Sequence, residues 1–350
     1  MKNYFILIIL LATIGCKKDP YAGINFEAPV FKDSTIVKTT ILNDTIYSNY
    51  IGNISSYKDY IIMFANINDY FYHFLDKETG RIIKSFGRLG RSAHEILPVY
   101  KSHVNEEQGI LTAYQMNTKE IYIFQLDSIL QNENYPVKRL SLSPYKGMTF
   151  NTAYKCKDGF LLCGGKCTVY PEGARFTHFS ERGKIIGSYD HYPISSDSAK
   201  DSINKDLNWS QLKICETISP DGCKLAEGTL TGGIIEVLQI TPEIKRLALK
   251  GYYKPDFHSK GLEIIVSENT PWGFYALTSS NKYLYALSCN GSTKQTLTTE
   301  VQVFDWSGNP IKKYMTDRQL TKICVDEKNK KAYAITLLPS REDALVVFDL

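Results

Sequence analysis

This sequence of 350 residues has no long block of charge of one sign. Lys and Arg number 41 against 37 Asp and Glu, which gives a formal net charge of +4. The two signs alternate along the chain, whereas proteins that bind nucleic acid usually have a clustered basic face. The charge pattern therefore gives no reason to expect a nucleic-acid partner.

A complete phosphate-binding glycine loop is also missing. The stretch RIIKSFGRLGRSAHEILPVY, residues 81–100, contains Gly87 and Gly90, but their spacing does not match the Gly-x-Gly-x-x-Gly fingerprint. Pro98 follows soon after, where that fingerprint requires a helix. The Gly-Lys-Ser/Thr sequence of a P-loop is absent as well. We therefore interpret this stretch as a connection within a repeating fold rather than as a nucleotide site.

Metal-binding spacings are scarce. No two of the six histidines form a His-x-x-x-His pair, and the pair Cys163 and Cys167 has no second pair to complete a zinc site. Seven cysteines besides Cys16 cannot all pair with one another. We expect mostly buried thiols and one or two disulfides.

The N-terminal residues have the pattern of an export signal. One Lys precedes an apolar run from Tyr4 to Ile14, which is too short to span a bilayer as a helix. Gly15-Cys16 at the end of this run resembles the lipobox of bacterial lipoproteins, in which cleavage precedes the Cys and the Cys is acylated. This resemblance implies a signal peptide at residues 1–15, lipidation of Cys16 and a tether at residues 16–32. The alternative is an ordinary signal peptide with a nearby Cys.

A lipid anchor would make the membrane a partner and would place the protein in the cell envelope. We expect an outer-membrane lipoprotein that is either periplasmic or exposed at the surface. Lys17-Lys18-Asp19 resembles an export signal of surface lipoproteins, and a short solvated tether is the alternative. No other segment of the sequence is apolar enough to cross a membrane.

Helical periodicity is scarce, and short strands separated by polar turns dominate the sequence. A group of strands recurs six times, with starts roughly 50 to 60 residues apart. The first strands are predicted at residues 51–57, 98–105, 148–155, 209–218, 272–279 and 320–326. The second strands are predicted at residues 60–66, 109–115, 159–165, 223–230, 283–289 and 331–337. Four short antiparallel strands per unit predict an all-β fold, a six-bladed β-propeller over residues 33–350.

The sixth unit lacks its outermost strand, and residues 34–42 form a strand that belongs to no unit. We expect this N-terminal strand to complete the last blade and close the ring, which would protect the edges of the sheet. A β-sandwich or two β domains is the alternative.

Two motifs resemble the TolB-like six-bladed propeller lipoproteins. The first blade of that family often ends in Gly-x-x-Gly-x-Gly-Pro-Gly-Glu-Phe, and Gly87, Gly90, Glu95 and Ile96 fit this pattern. Residues 92–94 differ from it, because Ser-Ala-His replaces Gly-Pro-Gly. The segment SPDGCKLA, residues 219–226, resembles a turn between first and second strands in the same family. The resemblance implies a fold and a lipoprotein but no defined activity.

The sequence offers two sets of candidate site residues. Four of the candidate ligand-binding residues follow blade 1 and the fifth lies on a predicted inner strand: Arg88, Arg91, His94, Glu95 and His103. An Arg pair with a His is suited to an anionic group such as a sugar acid or a carboxylate. The candidate calcium ligands are Asn53, Asn151 and Glu216, because six-bladed lactonases hold calcium with such residues in the channel.

We therefore expect a non-catalytic propeller that binds a ligand or an envelope protein on one face. Carbohydrates and peptides are the expected ligand classes, and no cofactor is required. The alternative is a hydrolase or lyase that uses calcium in the central channel. A scaffold for an envelope complex is a third possibility, since the fold alone does not determine function.

Overall fold

The computed structural model describes residues 21, 23–46, 48, 50–132, 134–145, 148, 150–164, 174–193, 212, 214–260, 263–292, 298–340 and 342–350. The predicted signal peptide, Cys16 and Cys167 lie outside these residues. Within the described part of the chain, no helix is both long and apolar enough to cross a membrane.

The strands form six four-stranded antiparallel blades, as the sequence predicts. Blade 1 contains β3 (Ile51–Tyr57), β4 (Tyr60–Ile67), β5 (Tyr70–Asp76) and β6 (Ile82–Leu89), and β7 (Glu95–Ile96) pairs with β6 in parallel. Blade 2 contains β8 (Ser102–Asn105), β9 (Ile110–Gln115), β10 (Glu120–Gln125) and β11 (Lys138–Ser141). A short helix, α1 (Leu126–Gln131), follows β10, and a 3-10 turn (Ser143–Tyr145) follows β11.

Blades 3 and 4 have the same strand order. Blade 3 contains β12 (Thr152–Cys156), β13 (Gly159–Cys163), β14 (Phe176–Phe179) and β15 (Ile185–Tyr189). Blade 4 contains β16 (Ile214–Ile218), β17 (Lys224–Thr229), β18 (Gly233–Gln239) and β19 (Lys245–Tyr253). A separate hairpin follows it, formed by β20 (Phe257–Lys260) and β21 (Glu263–Val266).

Blades 5 and 6 are joined by one continuous strand. Blade 5 contains β22 (Phe274–Ser279), β23 (Tyr283–Ser288), β24 (Thr298–Asp305) and the first half of β25 (Pro310–Asp326). Blade 6 contains the second half of β25, then β26 (Lys331–Leu337) and β27 (Asp343–Asp349). The outermost strand of one blade thus leads directly into the innermost strand of the next.

The N-terminal strand closes the ring, but its predicted extent is wrong. Residues 34–42 belong to two strands, β1 (Asp33–Val37) and β2 (Thr40–Ile46). Strand β2 pairs antiparallel with β27 and completes blade 6, whereas β1 pairs in parallel with β25 outside blade 5. The break occurs at Thr39, whose N–H and hydroxyl both donate to Asp317 Oδ1, at 2.9 and 2.7 Å.

The core consists of apolar clusters between neighbouring blades, because each central strand is buried on both faces. His73 and His178 occupy matching positions in β5 and β14, and both are buried in the packing between strands. Burial lowers the pKa of both imidazoles. No disulfide joins any two of the six described cysteines, so the expected bridges are not found among them.

Candidate functional site

The innermost strands of all six blades line a cavity of about 280 Å³ in the central channel. The channel has two ends. We use the term upper mouth for the end at which the innermost strands begin. The opposite end, formed by the turns between innermost and second strands, is the lower mouth. Exposed Tyr50 and Tyr100 precede β3 and β8 and stand at the upper mouth, with half-buried Tyr275 from β22.

Three blades contribute to a polar cluster in this cavity. Lys101 Nζ lies 3.1 Å from Glu216 Oε1, and the Tyr154 hydroxyl donates a hydrogen bond to Glu216 Oε2. The attraction of the Glu216 carboxylate raises the pKa of Lys101 to about 12. Burial raises the pKa of the Tyr154 phenol well above its usual range. At neutral pH Lys101 is therefore an ammonium and Tyr154 a neutral phenol, and both contact Glu216.

A second ammonium group enters the same cavity from blade 6. Lys322 is half-buried on the inner half of β25, and no described carboxylate forms an ion pair with it. Burial is the main cause that lowers the pKa of Lys322, and the positive charge of Lys101 adds to the lowering. Cys215 and the Asp343 carboxylate, which lies beyond ion-pair distance, act on this pKa in the opposite direction. A desolvated cation without a paired carboxylate gains free energy when an anion binds beside it.

Two of the predicted residues lie close to this cluster. The His103 ring meets the Tyr154 ring edge to face, with centroids 5.1 Å apart. Burial lowers the pKa of His103 to about 3, so its imidazole is neutral at physiological pH. Its Nε2 atom is buried and makes no hydrogen bond within the described chain. Asn53 donates its amide to the Ser102 carbonyl at 3.1 Å and also lines the cavity.

The other predicted ligand-binding residues form a separate loop outside the channel. Arg88 lies near the end of β6, the outermost strand of blade 1. Its backbone is opposite that of Glu95 where β6 and β7 run in parallel. The Ser92 N–H donates to Glu95 Oε2 at 2.9 Å and lowers the pKa of that carboxyl. Arg91 and His94 are exposed in the same turn. The structure thus separates these four residues from His103, and their role in binding stays a prediction.

The predicted calcium ligands do not all meet. Asn53 and Glu216 line the cavity, but Asn151 is exposed just before β12, where its amide lies against Gly164. Across the described residues, no three His, Cys, Asp or Glu side chains are grouped so that they could hold a metal ion.

A second cavity of about 710 Å³ opens at the lower mouth. The ion pair between Lys77 Nζ and Asp326 Oδ2, 2.6 Å apart, is buried there between blades 1 and 6. Glu106 lies between this cavity and the upper one, and burial raises its pKa to about 8. The two mouths therefore differ in chemistry, because tyrosines stand at the upper mouth and more carboxylates line the lower cavity.

Sequence reasoning missed Lys101, Lys322, Tyr154 and the tyrosines of the upper mouth. The available signal was a charged residue within an inner strand of otherwise apolar and small residues, such as Lys322 in LTKICVD. Such a lysine must either face the channel or be buried among apolar side chains, and the second arrangement is costly.

Comparisons with known proteins agree with the architecture. A family model for the TolB-like 6-blade propeller matches residues 30–328. A Bacteroides fragilis protein assigned as exported is 10% identical, with a TM-score of 0.55 over 93% of this chain and 98% of that one. A Bacteroides vulgatus member of the DUF4221 family is 11% identical, with a TM-score of 0.54 over 89% and 95%.

The similarity to these two structures concerns the fold alone, and no curated protein matches the sequence. The family model, in contrast, spans most of the chain, including the innermost strands of all six blades. The chain therefore belongs to the TolB-like six-bladed propeller family.

Proposed function

We propose that this protein is an exported lipoprotein whose propeller binds an anionic small molecule, such as a sugar acid, at the upper mouth without reacting with it. The lipobox-like Gly15-Cys16 supports the lipid anchor, which we place in the outer membrane. The similar fold of a Bacteroides protein assigned as exported is consistent with this location.

The observation behind the proposed ligand is the half-buried ammonium of Lys322. It shares the cavity with Lys101, whose charge is compensated by Glu216. A bound carboxylate or phosphate would compensate the charge of Lys322 and form a charge-assisted hydrogen bond with it. Of the expected ligand classes, a small molecule suits the enclosed volume better than a folded protein does.

The tyrosines of the upper mouth support a ligand that also has a ring. Tyrosine presents an aromatic face and a hydroxyl, so it can pack against a sugar or aromatic ring and still donate a hydrogen bond. Tyr50, Tyr100 and Tyr275 surround the opening from three different blades. An acidic sugar combines the two properties, since its carboxylate suits Lys322 and its ring suits the tyrosines.

Thermal denaturation of the purified protein with small anions tests this proposal. The panel contains glucuronate, galacturonate and sugar phosphates, each beside its neutral parent sugar. A ligand that binds only the folded state raises the Tm, so we expect at least one anion to raise it and its neutral parent to have no effect. The Lys322→Met variant should lose this response.

Lys184→Met is the matched control, because Lys184 is exposed on blade 3 and far from the channel lining. It should respond to the anion as the wild type does. The proposed ligand class would be contradicted if no sugar acid or sugar phosphate raised the Tm. It would also be contradicted if the Tm of Lys322→Met rose as much as that of the wild type.

A further inference from the structure

We infer that the outer edge of blade 4 faces the lipid bilayer and that the propeller stands edge-on to the membrane. This inference depends on the lipid anchor at Cys16 that is part of the proposed function. It concerns the segment that follows the anchor, for which the sequence alone predicts only a tether.

The start of this segment is packed into the propeller. Tyr21 is 4% exposed, and its hydroxyl donates to the Pro255 carbonyl at 3.1 Å, just beyond the end of β19. Its ring packs in a small apolar cluster with Leu212 and Ile234 of blade 4. Lys254 Nζ lies 5.5 Å from the centre of the same ring. Tyr21 therefore fixes one point of the predicted tether to blade 4.

A second point of attachment lies five residues further along the chain. Phe26 meets Tyr21 edge to face at 5.3 Å and forms a parallel bridge with Gly251 of β19. The Glu27 N–H donates to the Gly251 carbonyl at 3.0 Å. A Cβ atom at residue 251 would lie 2.6 Å from Phe26 Cδ1, so only glycine allows this approach. The segment is thus seated along the outer edge of blade 4.

These attachments shorten the distance between the anchor and the propeller. An extended chain covers about 3.6 Å per residue, so Cys16 lies at most about 18 Å from Tyr21. A free tether that reached from Cys16 to Asp33 would instead allow about 60 Å. A lipid on Cys16 would therefore hold the blade 4 edge beside the lipid headgroups.

The surface at this edge suits phospholipid. Residues 245–254, KRLALKGYYK, contain four basic side chains and no acidic one. Leu247 is 48% exposed among them. Lys245 and Arg246 have carboxylate partners in Glu243 and Glu236, and Glu27 of the docked segment lies at the same edge. The four basic residues still outnumber these three acidic ones, and Leu247 adds an exposed apolar side chain. Basic groups near a bilayer are attracted to anionic headgroups.

This orientation has a consequence for ligand binding. The outermost strands form the perimeter of the ring, so contact at the perimeter leaves the channel axis parallel to the membrane. Both mouths then open sideways into water. In a ring of six, blade 1 stands opposite blade 4 and points away from the bilayer.

Distance-dependent quenching on vesicles tests the orientation. The full-length lipidated protein is reconstituted into phosphatidylethanolamine and phosphatidylglycerol vesicles that contain a spin-labelled headgroup. A thiol-reactive fluorophore is placed at Leu247→Cys in blade 4 or at Ile83→Cys in blade 1. The two sites match in exposure, 48% and 50%, and both are on outermost strands. Labelled wild type gives the background from native thiols.

We expect several-fold stronger quenching at Leu247→Cys than at Ile83→Cys. Adding Tyr21→Ala and Phe26→Ala, which release the docked segment without altering the propeller strands, should make the two signals similar while the protein stays on the vesicles. Equal quenching at the two sites in the otherwise native protein would overturn the orientation.

Flotation of the same samples distinguishes a wrong orientation on the membrane from the absence of a lipid anchor. The native protein should float with the vesicles and Cys16→Ser should not. A native protein that fails to float overturns the lipid anchor and, with it, this inference. A protein that floats with equal quenching overturns the orientation alone.

Discussion

Three glutamates lie opposite one another on the first three strands of blade 4. Glu216 pairs with Glu227 across β16 and β17, and Glu227 pairs with Glu236 across β17 and β18. Residues that are directly opposite point to the same face of the sheet, so these carboxylates would repel one another. Arg175 bonds both Glu227 and Glu236, and Arg246 Nε lies 2.6 Å from Glu236 Oε1. The arginines therefore make this row of buried charge stable.

Removal of Arg175 should destabilise the protein strongly. Arg175→Met leaves two buried carboxylates facing each other, so we expect a loss of about 3–5 kcal/mol in the free energy of unfolding. Urea denaturation measures this loss. The control is Lys245→Met, which removes an exposed pair with Glu243 and should cost less than about 1 kcal/mol. Equal effects of the two variants would contradict a structural role for the row.

Glu106 should make stability depend on pH. Burial raises its pKa from 4.5 to about 8 in the folded protein. Between these values the folded state binds more protons than the unfolded state does, so the contribution of Glu106 to stability falls as the pH rises. The Tm of Glu106→Gln should match that of the wild type near about pH 5 and exceed it increasingly towards about pH 8.

The matched control for this series is Glu107→Gln, which removes the exposed neighbouring carboxylate. Its Tm profile reports the general effect of losing one surface charge at the lower mouth. A constant difference between Glu106→Gln and the wild type across the pH range would show that the Glu106 carboxyl is not buried as described.

At the scale of elements, the central strands of the blades were the most predictable. The second strands of blades 1 and 6 begin at Tyr60 and Lys331, as the sequence predicts, because a buried strand is an uninterrupted apolar run between polar turns. The innermost strand of blade 2 was less predictable, since it begins at Ser102 rather than at residue 98. The Ser102 carbonyl accepts a hydrogen bond from the Asn53 amide of blade 1, a contact between blades that local composition does not encode.

The candidate site was predictable only in part, for the same reason. His103, Asn53 and Glu216 were placed correctly on inner strands, because the strand pattern fixes which segments face the channel. The partners of these residues come from other blades, and Lys101 and Glu216 are separated by 115 positions in the sequence. A single sequence contains no local signal for such a contact.

At the scale of the whole molecule, a pairing between distant parts of the chain closes the ring. Strand β2 from the N-terminal region pairs with β27 from the C-terminal region. Ile46, at the end of β2, is 4% exposed and packs with Ile51 of blade 1 and with Ile335 and Leu345 of blade 6. This cluster therefore joins the last blade to the first.

Ile46→Ala should weaken this closure. It removes buried methyl and methylene groups at the junction between blades 6 and 1, so we expect it to cost about 2–5 kcal/mol. Hydrogen exchange should accelerate first in β2, β27 and β26, because these strands lose their support while blade 3, across the ring, keeps its own contacts.

Ile36→Ala is the matched control, since Ile36 belongs to the neighbouring strand β1 but is 87% exposed. Its effect should stay within about 0.5 kcal/mol, with an unchanged exchange pattern. If Ile46→Ala accelerated exchange equally in all six blades, the ring would open as one cooperative unit. The junction would then be no weaker than any other interface between blades.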